Sequence, residues 1–316
     1  MDHQQNKNLE KLYIALLKSP QVNSEQLAHE LSVNNISHLV ACLRQMGLDI
    51  DQDNHLICLK QKVEKPDMAL IVNQLKLAQI NKPVHYLFTT SSTNKIAREN
   101  KQAAIYIADH QSAGHGRAAK QWLTPLGQSI ALTLSHNFDL GLSHLSGLNI
   151  AIAVAIIQAI KKCGYNHIGL KWPNDLLGSA GKVAGILIEI TGNSSSCQAH
   201  IGIGINWQIR QNLLDTIEQD CMNIGIDNHS KSEFIVMLII ELENILQEFS
   251  TNKLNNIIKT WRQYDALVGK KINIIRDDKI IPAEYIGINE QGLLSVKLNQ
   301  EIKTLASGEV SIRKVD

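Results

Sequence analysis

An α+β protein in three successive parts is predicted for this chain, and three features of the sequence predict it. Short amphipathic helices fill the first 60 residues, strands and helices alternate through the middle, and from about Leu267 short strands and turns take over. At 316 residues the chain is long enough for more than one domain with a sizeable core.

In the first part, Leu9 to Leu17 places apolar residues at helical spacing. Ser24 is expected to cap a helix over EQLAHELS, with Leu27, Ala28 and Leu31 turned inward. After SVNN a second amphipathic helix runs from about Ile36 to Met46 and stops at Gly47. Two extended pieces, LDI and LICLK, follow. Helix, turn, helix and a brief strand pair make the pattern of a winged helix-turn-helix over residues 1–62. Its DNA-facing candidates are Ser24, Asn34, Asn35, Ser37, His38 and Arg44. Charge argues the other way. Residues 1–60 carry five basic side chains against seven acidic ones, a balance of −2, and phosphate neutralisation is the main source of DNA affinity.

KQKVEKPD (Lys60–Asp67) is polar, contains a proline, and reads as a linker. The second part, 67–265, is expected to be one mixed sheet with helices. Strands are predicted at Ala103–Ala108, Ser129–Ser135, Ile168–Lys171, Val183–Ile190 and Ala199–Ile205. Helices are predicted at Met68–Gln79, Thr93–Asn100, Leu148–Lys162 and near Ser232–Phe249. The run LNIAIAVAIIQAI (Leu148–Ile160) is short for a bilayer span and contains Asn149 and Gln158, so a buried helix is expected and no membrane partner. The third part, 266–316, alternates Val, Ile and Leu with polar residues between turns at Asp277-Asp278, Asn289–Gly292 and Asn299-Gln300, which suits a small SH3-like β-barrel.

Composition excludes several classes. With 31 basic and 30 acidic side chains, no global field marks a nucleic-acid binder. Cys42, Cys58, Cys163, Cys197 and Cys221 are scattered without zinc spacing, which reads as reduced thiols in the cytoplasm. The polar start MDHQQNKNLEKLY has no apolar signal core.

Five local signals carry chemistry. In QSAGHGRAAKQW (Gln111–Trp122), Gly114 and Gly116 allow close backbone approach to an anion, and Arg117 and Lys120 can neutralise it. Alone, the loop reads equally as a flexible connection without Walker spacing. KWPNDL (Lys171–Leu176) ends a strand in a polar turn. Asn174 and Asp175 there either bond their own backbone or sit beside a magnesium ion and a triphosphate. GKVAGILIE (Gly181–Glu189) puts Lys182 at the entry of an apolar strand, and Gly185 marks close approach by a ligand or by backbone. SSTN (Ser91–Asn94) opens a helix as a cap, and its hydroxyls and amide also suit a ureido or carboxylate group. GIGINW (Gly202–Trp207) ends at Asn206, a turn residue able to meet an adenine edge.

Taken in this order, from Phe88 to Trp207, these motifs resemble the biotin–protein ligase family, and GEVSIR (Gly308–Arg313) looks like that family's C-terminal domain. With the N-terminal helices, the whole chain resembles the bifunctional ligases that also repress biotin synthesis. The resemblance implies a class II synthetase-like catalytic domain. It also implies ATP, Mg²⁺ and biotin as reactants, a biotin carboxyl carrier protein as acceptor, operator DNA as a second partner, and a monomer–homodimer equilibrium. It assigns Ser92, Thr93, Asn94 and Gln111 to the ureido ring, and Gly114, His115, Gly116 and Arg117 to a loop over biotin and the adenylate. Lys182 goes to the carboxylate and α-phosphate, Gly185 to close approach, and Trp122, Lys120, Asn174 and Asn206 to the nucleotide. Asp175 goes to magnesium, and Lys182 and Arg117 to catalysis. One departure stands out: G-R-G-R-R-G-R in well-known members is G-H-G-R-A-A-K here. Each lost charge-assisted hydrogen bond is worth ~1.5–3 kcal/mol at most, so a looser hold on the adenylate is expected. No Ser-His-Asp or Cys-His constellation is present to serve as a nucleophile. The rival functions are a lipoate or octanoate ligase, and a biotin-sensing regulator without ligase activity. SSTN and Gln111 favour the ureido ring over an acyl chain, and intact Lys182, Arg117 and KWPND favour the enzyme.

Overall fold

The computed structural model describes residues 3–139, 141–252, 254–276, 279–307 and 311–314. The expected turn at Asp277-Asp278 and the first three residues of GEVSIR lie outside the described residues.

The N-terminal unit comprises α1 (His3–Lys18), β1 (Gln21–Asn23), α2 (Ser24–Leu31), α3 (Ile36–Gln45), β2 (Ile50–Gln52) and β3 (Leu56–Leu59), with the strands in antiparallel order β1-β3-β2. Leu9, Leu12, Tyr13 and Leu16 of α1 meet Leu27 and Leu31 of α2 and Leu39, Val40 and Leu43 of α3 in one apolar core. The cap of α2 differs from expectation. Asn23 is the N-cap, its side chain accepting from Gln26 N at 2.8 Å. Ser24 is the first helical residue, and its hydroxyl donates to Asn54 O at 3.0 Å. An asparagine one residue earlier offers the same acceptor, and pairing of β1 with β3 holds it in extended geometry.

The central unit runs α4 (Met68–Leu77), β4 (Val84–Thr90), α5 (Thr93–Asn100), β5 (Ile105–Gln111), β6 (Ser129–Phe138), α6 (Leu148–Lys162), β7 (Gly169–Lys171), β8 (Asp175–Leu177), β9 (Lys182–Gly192), β10 (Cys197–Asn206), α7 (Gln211–Leu214), α8 (Lys231–Asn252) and α9 (Ile257–Tyr264). Its seven strands lie in the order β4-β5-β6-β10-β9-β8-β7, with β4 and β5 parallel and the other pairs antiparallel. Leu142–Lys162 is apolar enough by composition to cross a membrane. Here α6 is a core helix, with eleven of its residues buried against the sheet and α8. Each fully buried Ile or Leu contributes roughly 1.5–3 kcal/mol of burial free energy, which fixes α6 under the sheet.

The tail forms one antiparallel sheet of β11 (Lys271–Arg276), β12 (Lys279–Ile288), β13 (Leu294–Leu298), β14 (Glu301–Leu305) and β15 (Ser311–Lys314), in the order β14-β13-β12-β11-β15. Ile272, Tyr285, Leu294 and Val296 join the core of the central unit, and Trp172 Nε1 donates to Gly292 O at 3.1 Å.

A short strap joins the first unit to the second. Leu126 N donates to Met46 O and Gln128 Nε2 to Gly47 O, each at 2.8 Å, just past the end of α3. Arg210 pairs with Asp49 at 3.2 Å, while Phe88 and Leu126 complete the N-terminal core. Behind the strap, buried Lys231 donates to Gly127 O at 2.6 Å and to Glu64 O. Burial pushes its ammonium down and the nearby Asp109 carboxyl up from their ordinary ranges.

Candidate functional site

The site is built on the floor made by β9 and β10. Gly185 stands opposite Gly204 in the register, and Leu187 opposite Gly202. The absent side chains have occupants. A Cβ on Gly204 would fall 2.3 Å from Trp122 Cε2, one on Gly185 3.0 Å from Trp122 Cζ3, and one on Gly202 2.4 Å from Asn94 Oδ1. Trp122 therefore lies flat on paired backbone. Lys182 Nζ stands 5.2 Å from the centroid of its ring, a cation–π distance.

KWPND supplies the next layer. Asn174 Nδ2 donates to Ile186 O at 2.9 Å, and its Oδ1 accepts from Arg117 Nη1 at 3.3 Å. Arg117 Nη2 also donates to Ser307 O of the tail, so the glycine loop meets the C-terminal sheet. Asp175 takes Lys182 at 2.7 Å on one oxygen and Lys171 at 3.8 Å on the other. Lys171 is pushed below the ordinary lysine range, first by burial and then by Lys182, Lys120 and Arg313, with Asp175 opposing. Burial also lowers Arg117. One carboxylate faces several cations, an excess of positive charge that suits phosphate.

At the other end, α5 starts at Thr93, with Ser92 as an N-cap whose side chain makes no capping bond. Gln111 Oε1 accepts from Thr93 N at 2.8 Å, and Gln111 Nε2 donates to Thr124 Oγ1 at 3.1 Å. Asn94 Nδ2 donates to Leu187 O and to Glu189 Oε2, so both its amide hydrogens are engaged inside the protein. The expected ureido contact from them is not made available. Thr133, Glu189 and Arg98 belong to this network and were not among the sequence candidates. Glu189 closes the GKVAGILIE motif, which was its only signal.

One nucleotide assignment changes. Asn206 is buried, and its Nδ2 donates to Lys182 O and Met222 O, each at 3.2 Å. Its amide hydrogens hold the backbone under Lys182 and are not turned to an adenine edge. Asp175 lies between two ammonium groups, with Oδ1 2.7 Å from Lys182 and Oδ2 3.8 Å from Lys171. Among the described residues no cluster of three His, Cys, Asp or Glu side chains could hold a metal. Lys120 and His115 are exposed on the glycine loop, where Gly116 N donates to Lys120 O at 2.7 Å and Trp122 N to Gly114 O at 2.9 Å. Ala118 and Ala119 turn that loop at φ 52° and 54°.

Among the DNA candidates, Ser24 is buried and its hydroxyl is engaged, which removes it. Asn35 caps α3, accepting from His38 N at 3.3 Å. Ser37 accepts from Gln52 Nε2 at 2.8 Å and Arg44 Nε donates to Ile50 O at 2.8 Å, so both tie α3 to β2. Asn34 and His38 are exposed, His38 lying 3.0 Å from Gln5 Nε2. A cleft of about 740 Å³ beside Lys82, His136 and Glu243 contains none of the predicted site residues.

His110, next to Gln111, predicts a pH effect. Burial lowers its imidazole from 6.5 to about 4. Between those values the unfolded chain binds a proton that the folded chain does not, so folding stability falls as pH drops from 6.5 towards 4. The loss is at most about 3 kcal/mol, and Asp109, shifted upwards, works in the opposite sense. Thermal midpoints across that window should fall less steeply for His110→Gln than for the wild type, and parallel curves would remove His110 as the cause.

Comparison with known proteins agrees with this arrangement. The profile of the Biotin/lipoate A/B protein ligase family matches residues 87–206, and that of the Biotin protein ligase C terminal domain matches residues 267–313. The bifunctional ligase/repressor BirA of Escherichia coli (strain K12) is 29% identical over 315 residues, covering 96% of this chain and 97% of that protein. The biotin--[acetyl-CoA-carboxylase] ligase of Paracoccus denitrificans is 38% identical over 127 residues, 38% of this chain and 52% of that protein. In fold, a biotin protein ligase from Aquifex aeolicus, solved in complex with biotin and ATP, superposes with a TM-score of 0.64 at 21% identity, covering 74% of this chain and all of that one.

Proposed function

The chain belongs to the biotin protein ligase family, and from that premise we propose that it activates biotin with ATP and passes it to a lysine of a biotin carboxyl carrier protein. The observation that carries this reading is the pairing of Lys171 and Lys182 with the single carboxylate of Asp175, with Arg117 on the adjacent Asn174 and Trp122 alongside. That charge excess favours an adenylate over a neutral ligand.

In the first step a carboxylate oxygen of biotin attacks the α-phosphorus of ATP and pyrophosphate leaves. Lys182 and Arg117 are assigned to the phosphoryl oxygens, where charge develops. In the second step the acceptor amine attacks the biotinyl carbonyl of biotinyl-5′-AMP and AMP leaves. Positioning and exclusion of water supply most of the catalysis, and no protein nucleophile is needed. Ser92, Thr93 and Gln111 are assigned to the ureido ring, Gly114, His115, Gly116 and Gly185 to close approach, and Trp122, Lys120 and Asn174 to the nucleotide. Magnesium is assigned to the phosphates of ATP beside Asp175, whose Oδ2 lies 3.8 Å from Lys171.

We assign residues 1–62 as a winged helix-turn-helix, 67–265 as the catalytic domain and 266–316 as an SH3-like barrel. The first supports repression of biotin synthesis genes by the adenylate-loaded chain as a homodimer on operator DNA, with exposed Asn34 and His38 assigned to meet bases. ATP dependence supports a cytoplasmic location. Footprinting of the biotin-synthesis promoter with biotinyl-AMP present tests this part, and absence of protection would remove it.

The ligase itself is tested by ATP–pyrophosphate exchange with biotin in one tube and lipoate in another. Exchange with biotin alone is expected. Exchange with lipoate alone would reassign the substrate, and biotin binding without exchange would make the chain a sensor. The altered loop adds a prediction. Restoring arginine at His115 and Ala118 should slow release of biotinyl-AMP by about tenfold for each charge-assisted bond regained. Unchanged release in a stopped-flow chase would show that the loop's backbone alone holds the adenylate.

A further inference from the structure

We propose that Glu189, held by Arg98, is a positioning residue that fixes the hydrogen-bond polarity of the pocket's ureido end, so that the pocket selects a ligand that donates N–H. The inference rests on the biotin reading above and deepens it.

A count of protons sets the direction of each bond. Arg98 Nη1 donates to Glu189 Oε1 at 2.8 Å. Glu189 Oε2 accepts from Asn94 Nδ2 at 3.0 Å, and the same nitrogen donates to Leu187 O at 3.2 Å. Neither acceptor can donate, so the Asn94 amide has one orientation and its Oδ1 must face Thr133. That oxygen only accepts, so the Thr133 hydroxyl proton points to it across 2.6 Å. Thr133 Oγ1 then accepts from Thr93 Oγ1 at 2.8 Å. A third oxygen–oxygen contact, Thr93 Oγ1 to Gln111 Oε1 at 3.2 Å, remains. Three contacts share two hydroxyl protons, and the longest goes without.

Gln111 Oε1 already accepts from Thr93 N at 2.8 Å, so the acceptor left one donor short is Thr93 Oγ1, whose own proton goes to Thr133. An N–H group supplies what it lacks. A plain acyl chain supplies nothing and leaves that lone pair desolvated. Were Glu189 absent, the Asn94 amide could turn over and present N–H to Thr133. The relay would reverse, and Thr93 would offer a proton where the ligand offers one too.

The test is calorimetric binding of biotin, and of biotin methylated on a ureido nitrogen, with steady-state kinetics alongside. In Glu189→Ala, biotin Kd and KM should rise about 10–100-fold with kcat within about threefold. The penalty for methylation should shrink at least about fivefold. Glu189→Gln should stay within about threefold of wild type, because its carbonyl still accepts from Asn94 although the ion pair with Arg98 is gone. Thr133→Val should repeat the Ala pattern and Thr133→Ser should restore binding. Wild-type affinity in Glu189→Ala would overturn the proposal. So would equal losses in Glu189→Ala and Glu189→Gln, which would make Glu189 a charge partner only. A wild-type chain that binds no biotin would overturn the functional reading and this inference with it.

Discussion

Replacing Lys182 by alanine is expected to lower biotin-dependent ATP–pyrophosphate exchange by about 10²–10³-fold, the range for losing one preorganised charge from a transition state. Lys182 Nζ is fixed from two sides, by Asp175 at 2.7 Å and by the Trp122 face at 5.2 Å. Asn206 anchors its backbone from below. A cation so constrained pays little reorganisation when phosphoryl charge develops, which is where its effect on rate originates. The loss should fall mainly on kcat, with biotin affinity by calorimetry changed less. The fold should persist, because Asp175 keeps Lys171 as a neighbour. Exchange within about threefold of wild type would remove Lys182 from the chemistry.

Gly204→Ala is the second large effect. The new methyl would sit 2.3 Å from Trp122 Cε2, inside any tolerable contact, so the indole must leave the floor. Overpacking of this kind costs about 1–3 kcal/mol. If that strain is relieved by displacing Trp122, KM for ATP rises about 10–100-fold. The mechanism has its own control. In a Trp122→Ala background the same methyl meets empty space, so the two substitutions should be strongly non-additive. Additive losses in ATP KM would show that Gly204 is required for some reason other than the ring.

The long helices and the order of the motifs were legible because each is carried by local pattern. α6 lies at the predicted Leu148–Lys162, and α5 at the predicted Thr93–Asn100. What stayed hidden depends on partners distant in the chain. β8 is three residues long and exists because β7 and β9 flank it. β4 is half exposed at the sheet edge, so its alternation is weak. α9 was missed although its buried Ile257, Ile258 and Trp261 share one face, since eight residues give little periodicity to read. Thr133 and Glu189 look like ordinary strand residues until Asn94, 39 and 95 positions away, is placed between them. Asn94 and Asn206 carried the right residue type for ligand contact. Only coordinates reveal that their amide hydrogens already hold the site together.

The strap at Leu126 and Gln128 has a consequence for DNA. By gripping Met46 and Gly47 just beyond α3, it denies the helix proposed to read DNA a swivel of its own. In the proposed homodimer, the separation of the two helices is then a property of the catalytic bodies. Such a homodimer would be a caliper with a fixed gap. An operator whose half-sites are set too close or too far must be bent or twisted to fit, and the elastic cost falls on the duplex.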